Sequence, residues 1–393
     1  MQERRHPLPS SFLLVFALAC GEDGITTPSP EPEAARLAVG RQHACRITAG
    51  GIYCWGGGED GQLGIGSAPT DAPPTLLEDA TALVSLAAGA THTCGLDADG
   101  IAYCWGSDRD GQLGRGAEAA ERCDAIPCAT RPGQVAGGLR FRTLSAGDRF
   151  TCGVAEDGAA YCWGLNDLGQ LGTAADQEQC TDARCSRTPL RVAGAPEFSA
   201  VSAGTYHACA LTGGGMAYCW GWVPRTGALN PMFLPEADRV AGDVSFEQIE
   251  AGGLHTCAVT ADEEAYCWGI DAIGAGPTLL ESEVPVAVVG GRRFSAVTSA
   301  RYTSCGMDPE GAAHCWGPNS DGEIGREPVG STVRFDEPAA VSGGFRFTSL
   351  ASGSGSYCGV TTAGATVCWG RGTEGQLGSG HQDRASPVAV PLP

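Results

Sequence analysis

The tripeptide Cys-Trp-Gly occurs seven times, with its tryptophan at positions 55, 105, 163, 220, 268, 316 and 369. Returns every 48 to 58 residues restrict the chain to a repeat array, because one such unit cannot bury an apolar face alone. Aligned on the tryptophan, each unit reads roughly PVRVAG, FSAVSAG, HTCGLDADGIAYCWG and GQLG. The short apolar segments are broken by Gly, Pro and Asp and carry no helical period, so they are strands. The expected fold is all-β, a seven-bladed β-propeller. The 59 glycines among 393 residues fit its many tight turns.

The segment HTCGLDADGIAYCW reads as a hairpin whose DADG turn pairs Asp97 with Ile101. Counting outward sets Leu96 against Ala102, Gly95 against Tyr103 and Cys94 against Cys104. In the first unit, a two-residue loop at Ala49 and Gly50 still leaves Cys45 facing Cys54. Directly opposed residues stand about 4.5 to 5.5 Å apart at Cα, which a disulfide tolerates. The register therefore predicts one cross-strand disulfide per blade: Cys45–Cys54, Cys94–Cys104, Cys152–Cys162, Cys209–Cys219, Cys257–Cys267, Cys305–Cys315 and Cys358–Cys368. Metal ligation would need four ligands converging, which hairpins in separate units do not supply. The same register sets a small residue (Gly95, Gly153, Ala210, Ala258) against a tyrosine (Tyr103, Tyr161, Tyr218, Tyr266), with Arg46 opposite Tyr53 as the exception.

Units two to seven each begin with a Val- or Pro-rich strand such as TPLRVAG. The first unit lacks one, and ASPVAVPLP at the C-terminus supplies it. This predicts that the C-terminal strand completes the first blade and closes the ring.

Of the 19 cysteines, 18 fall into nine close pairs and Cys20 stands apart. Arg4 and Arg5 precede the apolar run Phe12 to Ala19, which is too short to span a bilayer, and the run ends in ALAC. This arrangement resembles the lipobox of bacterial lipoproteins, with Leu18 and Ala17 departing from the usual order. The expectation is a signal peptide over 1–19, a polar Pro-rich tether over 20–38 lipidated at Cys20, and a propeller over 39–393. The protein is then exported and lipid-anchored in the bacterial cell envelope, with simple secretion as the alternative. Nine disulfides fit an oxidising compartment.

The net charge is −20 and no lysine occurs. Nucleic acid and anionic membranes are thereby disfavoured as partners, and lysine-based catalysis is excluded.

Residues 40 to 393, with YCWGSDRDGQLGRG and CWGLNDLGQLG as their closest matches, resemble the regulator of chromosome condensation repeat family. The resemblance implies a seven-bladed propeller. Family members include a nuclear exchange factor for a small GTPase and, among similar bacterial architectures, a secreted inhibitor of β-lactamases. The export signal, the cysteines and the acidity depart from a nuclear, chromatin-binding role.

His43, His92, His207 and His255 recur two residues before a hairpin cysteine, with Phe150 in the third unit. Such repetition points to one structural hydrogen bond per blade. The GQLG glycines read as turn residues with positive φ, because no helix follows to complete a phosphate cradle.

Function is sought where the repeat breaks. ERCDAIPCATRPG and EQCTDARCSRTP occupy equivalent places in adjacent units and carry the pairs Cys123/Cys128 and Cys180/Cys185. Two stapled loops are favoured over a four-cysteine zinc site in an exported protein. Pre-ordered loops lower the entropy cost of binding, which makes Arg122, Asp124, Ile126, Asp182 and Arg184 candidate contact residues. The fourth unit replaces GQLG with WGWVPRTGALNPMFLP, adding Trp222, Arg225, Met232 and Phe233 as candidate anchors; filling of the blade gap is their alternative role. No catalytic, metal or cofactor constellation is read from the sequence.

The expected function is that of a monomeric, non-enzymatic scaffold. It recognises an extracytoplasmic protein or glycan through loops on one face and meets the membrane only through its anchor. The alternatives are a lyase or glycosidase site in the central channel and, by family analogy, guanine-nucleotide exchange.

Overall fold

In the computed structural model, seven antiparallel sheets follow one another along the chain, and no strand is exchanged between them. The structure describes Met1 and residues 36–78, 82–117, 121–174, 178–181, 183–223 and 232–392. The expected signal peptide beyond Met1, Cys20 and the tether up to residue 35 lie outside the described residues. The first strand begins at Leu37, two residues before the expected boundary.

Blade three shows the pattern: an inner strand Phe141–Ala146, a second Phe150–Ala155, a third Ala160–Leu165 and an outer strand Arg184–Arg191. The hairpin registers are those expected, with Cys94 opposite Cys104, Gly95 opposite Tyr103 and Cys45 opposite Cys54. All seven cross-strand disulfides form, with Cα atoms 4.0 to 4.1 Å apart. The small residue opposite tyrosine has a different role from the one expected. A side chain on Gly153 would meet the Phe141 ring, which lies across the glycine and packs against Tyr161 and Trp163 with centroids 6.4 and 5.7 Å away.

The C-terminal strand Arg384–Ala389 does not complete blade one. It pairs with Thr366–Gly370 as the outer strand of blade seven. In every blade the Val- or Pro-rich strand hydrogen-bonds to the Cys-Trp-Gly strand before it, as Leu190 does with Cys162. Each such strand therefore belongs to the preceding unit, and blade one has its own at Asp71–Leu76. In five blades the outer strand is the last of its sheet, and each of the seven outer strands carries a proline, which removes a donor from the edge.

The ring closes instead through side chains. Leu37, Val39 and Trp55 of blade one share a core with Val360, Leu377 and Val390 of blade seven. Buried Arg46, the exception in the register, donates from blade one to Gly364 O at 3.0 Å and to Thr366 Oγ1 in blade seven.

Two repeated devices hold the seams. First, the tryptophans at 55, 105, 163, 220, 316 and 369 each donate the indole N–H to a carbonyl of the preceding blade's third-to-outer connection, as Trp105 does to Gln62 O and Trp163 to Gln112 O, at 2.9 and 3.0 Å. The last glycine of that loop has positive φ and lies under the indole, so a side chain on Gly114 would strike Trp163. Second, His92 Nε2 lies 2.9 Å from Thr151 Oγ1, and Thr151 donates to Gln112 O at 3.2 Å. Because the threonine proton goes to the carbonyl, the imidazole donates from Nε2. His43 with Thr93, His207 with Thr256 and His255 with Ser304 repeat the contact at 2.7, 2.8 and 2.7 Å. Burial holds these four histidines down at about 3 (His43, His92, His255) and about 4 (His207). The expected structural hydrogen bond is present.

At one end of the axis, the inner strands of six blades stop at a glycine, and that of blade six stops at Ala300. A side chain on Gly89 would meet both the His92 ring and the carbonyl of Gly147 in the next blade. Gly40, Gly147, Gly204, Gly252 and Gly353 repeat the close approach, so the axis is pinched there. Beyond the pinch, the seven inner strands line a central cavity.

Candidate functional site

In a four-strand meander, the turn between the first two strands and the connection between the last two leave from the same end. Both stapled hairpins lie on third-to-outer connections, and Trp222 and Phe233 stand at the matching strand ends of blade four, so these breaks in the repeat collect on the pinched face.

The two insertions are short hairpins more than loops. Glu121–Cys123 and Glu178–Gln179 each add a fifth strand outside the outer strand of blades two and three. Their disulfides, Cys123–Cys128 and Cys180–Cys185, hold Cα atoms 5.7 and 5.8 Å apart. Each hairpin leans on the preceding blade: Cys123 Sγ lies against Gly61, and Thr181 Oγ1 donates to Arg109 O at 3.2 Å. Between blades one and three lies a groove of about 310 Å³, lined by Ile126, Asp60, Arg109, Asp110, Asp148 and Arg149 together with Arg41. Arg149 grips buried Asp110 with two hydrogen bonds, of 2.6 and 2.7 Å. Burial still lifts the Asp110 carboxyl above its ordinary range, against the pull of Arg149. Asp148 is lifted the same way, with Arg41, Arg301 and Arg149 opposing.

Blades four to six present different chemistry. Half-buried Trp222 meets Tyr206 edge-on with centroids 5.7 Å apart. The Tyr206 hydroxyl accepts from Arg301 at 3.1 Å, and Arg301 also lies over the ring of Tyr302, 5.2 Å from its centre. Tyr302 is 42% exposed and Phe233 is 53% exposed. Leu279, Leu280 and Val329, on the corresponding connections of blades five and six, are exposed as well.

Of the residues singled out from sequence, Trp222 and Phe233 are brought together, directly opposite on adjacent strands. Met232 pairs with Val223 along the same ladder. Ile126 lines the groove, and exposed Asp124 sits at the hairpin turn with φ of 52°. Arg122 is exposed and donates to Glu121 O, while exposed Arg184 donates to Asp167 O at 3.2 Å. Arg225 and Asp182 lie outside the described residues. The stapled hairpins belong to blades two and three and the Trp222 pair to blade four, so the candidates occupy two sectors of one face.

Sequence reading missed the innermost layer: Arg41, Asp148, Arg149, Tyr206, Arg301 and Tyr302. All six fall in the one or two positions after the small residue that ends an inner strand, glycine in three of these blades and Ala300 in blade six. Those positions vary from unit to unit inside an otherwise repeated motif, and that variation was the available signal. Among the described residues no group of three His, Cys, Asp or Glu side chains converges as metal ligands would, and no helix is long and apolar enough to cross a membrane.

Comparison with known proteins agrees with this geometry. The family model described as regulator of chromosome condensation (RCC1) repeat matches residues 49–96, 99–154 and 157–211. A second model of the same description matches 83–112, 141–170 and 246–272. The chain is 28% identical over 199 residues to the ultraviolet-B receptor UVR8 of Arabidopsis thaliana, spanning 49% of this chain and 42% of that protein. It is 31% identical over 204 residues to protein pim1 of Schizosaccharomyces pombe, spanning 48% and 37%. The aligned regions thus span less than half the length of these two relatives. Among solved structures, human WBSCR16 superposes with a TM-score of 0.75 at 20% identity, covering 87% of this chain and 94% of that one. Yeast RCC1 (Prp20) bound to Kap60 superposes at 0.72 with 18% identity, covering 97% and 91%. At these identities the superpositions show the fold.

Proposed function

The chain is a propeller of regulator of chromosome condensation repeats, and from that premise we propose that it is a rigid scaffold recognising a protein partner through its pinched face. One observation carries this reading: the stapled hairpins, Trp222 with Phe233, and the Arg301–Tyr302 pair all depart from the repeat at the same end of the blades. Seven disulfide-stapled blades hold that face rigid, so little ordering entropy is lost on binding. Exposed aromatic and arginine side chains supply anchors, and the stapled hairpins supply the rim. Similar propellers support a binding or regulatory role, since yeast RCC1 (Prp20) is solved with Kap60 and Prp20p from Saccharomyces cerevisiae is characterised together with its binding to Gsp1p and histones. For this chain the partner is proposed to be extracytoplasmic. The ALAC sequence ending at Cys20 and the nine disulfides support export and lipid anchoring. An acid–base enzyme would need its groups together at the axis; the cavity wall offers Glu250 and Arg142 as its ionisable side chains.

The test is capture of partners from intact cells by the soluble propeller, repeated with Trp222→Ala and with both stapled hairpins shortened to plain turns. Loss of the same captured protein in both variants is expected, at least tenfold for Trp222→Ala. Equal capture by both variants would remove the pinched face from consideration. Mass spectrometry of the mature N-terminus is expected to find a diacylglyceryl group on Cys20.

A further inference from the structure

The cavity beyond the pinch has a volume of about 500 Å³ and receives residues from the inner strands of all seven blades. One register level in it is informative. The inner-strand residues opposite the first hairpin cysteines are Ala38, Ala87, Ser145, Ser202, Glu250, Thr298 and Ala351, taken in blade order. The level therefore has a polar arc through blades three to six and an alanine arc through blades seven, one and two.

The hydroxyls of the polar arc are engaged with neighbouring blades. Ser145 accepts from Ala203 N and Ser202 from Ala251 N, both at 2.9 Å, and Thr298 donates to Ser352 Oγ at 2.7 Å. Gln248 bonds both backbone groups of Val297 at 2.9 Å. These contacts satisfy inner strand edges that no further strand covers. Glu250 does nothing comparable. Its carboxylate oxygens have only long contacts, to Ser202 Oγ and Gln248 Nε2, each at 3.4 Å. Among the described residues no arginine or histidine pairs with it. It is enclosed by protein on its own and adjacent strands, yet keeps accessible surface, because that surface is cavity wall. The other ionisable group lining the cavity is Arg142, exposed and donating to Glu156 O.

A buried carboxylate is ordinarily paired or bound to a cation. This one faces an open space, with hydroxyl and carbonyl oxygens beside it and an apolar arc across from it. A hard metal ion would take six or more oxygens and more than one formal charge, which a single carboxylate does not offer. A primary ammonium instead needs three acceptors and one counter-charge. We propose that the central cavity is a binding site for a small alkyl primary amine, with its ammonium on Glu250 and its carbon chain along Ala38, Ala87 and Ala351. The site is distinct from the pinched face and stands or falls independently of it.

Burial pushes the Glu250 carboxyl up to about 7. A bound ammonium draws it back down, so binding below pH 7 releases a proton.

The probe is n-butylamine, titrated into the soluble propeller by calorimetry at pH 6 and pH 8, with n-butanol as the neutral isostere. Saturable butylamine binding is expected, at least tenfold tighter than butanol and weakened at least tenfold in Glu250→Gln. In buffers of different ionisation enthalpy, the wild-type heats should report proton release at pH 6 and much less at pH 8. A folded Glu250→Gln protein that binds butylamine like wild type overturns the assignment, as does no saturable binding at pH 8. A carboxyl-carbon NMR titration of wild-type Glu250 checks the site without any variant: added butylamine should lower its midpoint by at least one pH unit, and an unmoved midpoint counts against the site.

Discussion

Blade two meets blade three through His92 and Thr151, a buried hydrogen-bonded pair. Blade three meets blade four through Phe150 and Ala208, members of one apolar cluster. The two seams use the same backbone positions, and both partners change together. A buried donor left without its acceptor costs about 1–3 kcal/mol, whereas replacing both by apolar groups is nearly neutral. The seam therefore has two good solutions and two poor hybrids between them. Blades six and seven show a third solution, with the large group on the other side: Thr303 Oγ1 and Tyr357 OH lie 2.7 Å apart.

Acid should separate the two kinds of seam most strongly. The four seam histidines are held near 3 to 4, below their unfolded value of 6.5. Their contribution is fully present above pH 6.5 and is lost as the pH falls from there toward the folded values. Glu250 and Glu323 work the other way: burial raises both from 4.5 to about 7, so their contribution is present below 4.5 and lost as the pH rises to 7. Between pH 6.5 and 4.5, four protons taken up on unfolding oppose two given up. The net of two corresponds to at most about 2.7 kcal/mol of destabilisation per pH unit of acidification. Denaturant midpoints at pH 7.5 and 5.0 should fall accordingly. The double variant His92→Phe with Thr151→Ala should show a slope shallower by about one proton. An unchanged slope would mean that His92 is not held neutral.

The next largest effect comes from forcing a hybrid seam. Phe150 is fully buried, and Phe150→His places an imidazole where Ala208 offers no hydroxyl. A loss of about 2–4 kcal/mol is expected, from the orphaned donor and the lost ring packing. Adding Ala208→Thr should recover at least about 1 kcal/mol, measured as the coupling in a double-mutant cycle at pH 7.5. Additive losses would show that the two positions do not read each other.

Blade number, hairpin register and the seven cross-strand disulfides were legible because each follows from spacing, whereas Cys123–Cys128 and Cys180–Cys185 were favoured over a zinc site only by the export signal. Seven copies of Cys-Trp-Gly set the count, and the DADG turn sets which cysteine faces which. The membership of the outer strand was not legible. The Val- or Pro-rich segment lies between two units, and only its hydrogen bonds to the preceding Cys-Trp-Gly strand decide its blade. The seam pairs escaped for a related reason: Thr151 and Ala208 look unremarkable until the ring places them beside His92 and Phe150. At the face, composition pointed to Trp222 and Phe233. Arg301 and Tyr302 gained meaning only once the fold brought Tyr206, two blades away, to the Arg301 guanidinium.

The closing seam supplies the smallest effect and the finest test. Ser356 occupies the histidine position of blade seven, and the partner position in blade one is Ala44. This is a hybrid in place: the Ser356 hydroxyl is fully buried, with its oxygen unpartnered among the described residues. Arg46 and the Trp55 indole, which donates to Gln376 O at 2.9 Å, tie that seam together by other means. If completeness of the pair sets seam stability, Ser356→Ala removes only an unmet hydrogen-bonding demand. The substitution should then stabilise the propeller by about 0.5–1 kcal/mol, a thermal midpoint shift upward of about one or two degrees in a chain this long. The same serine-to-alanine change at Ser304, which His255 engages at 2.7 Å, should instead lower the midpoint. Opposite signs from one chemical deletion at two seams would isolate the partner as the cause; equal losses at both would show that the hydroxyl at Ser356 is satisfied.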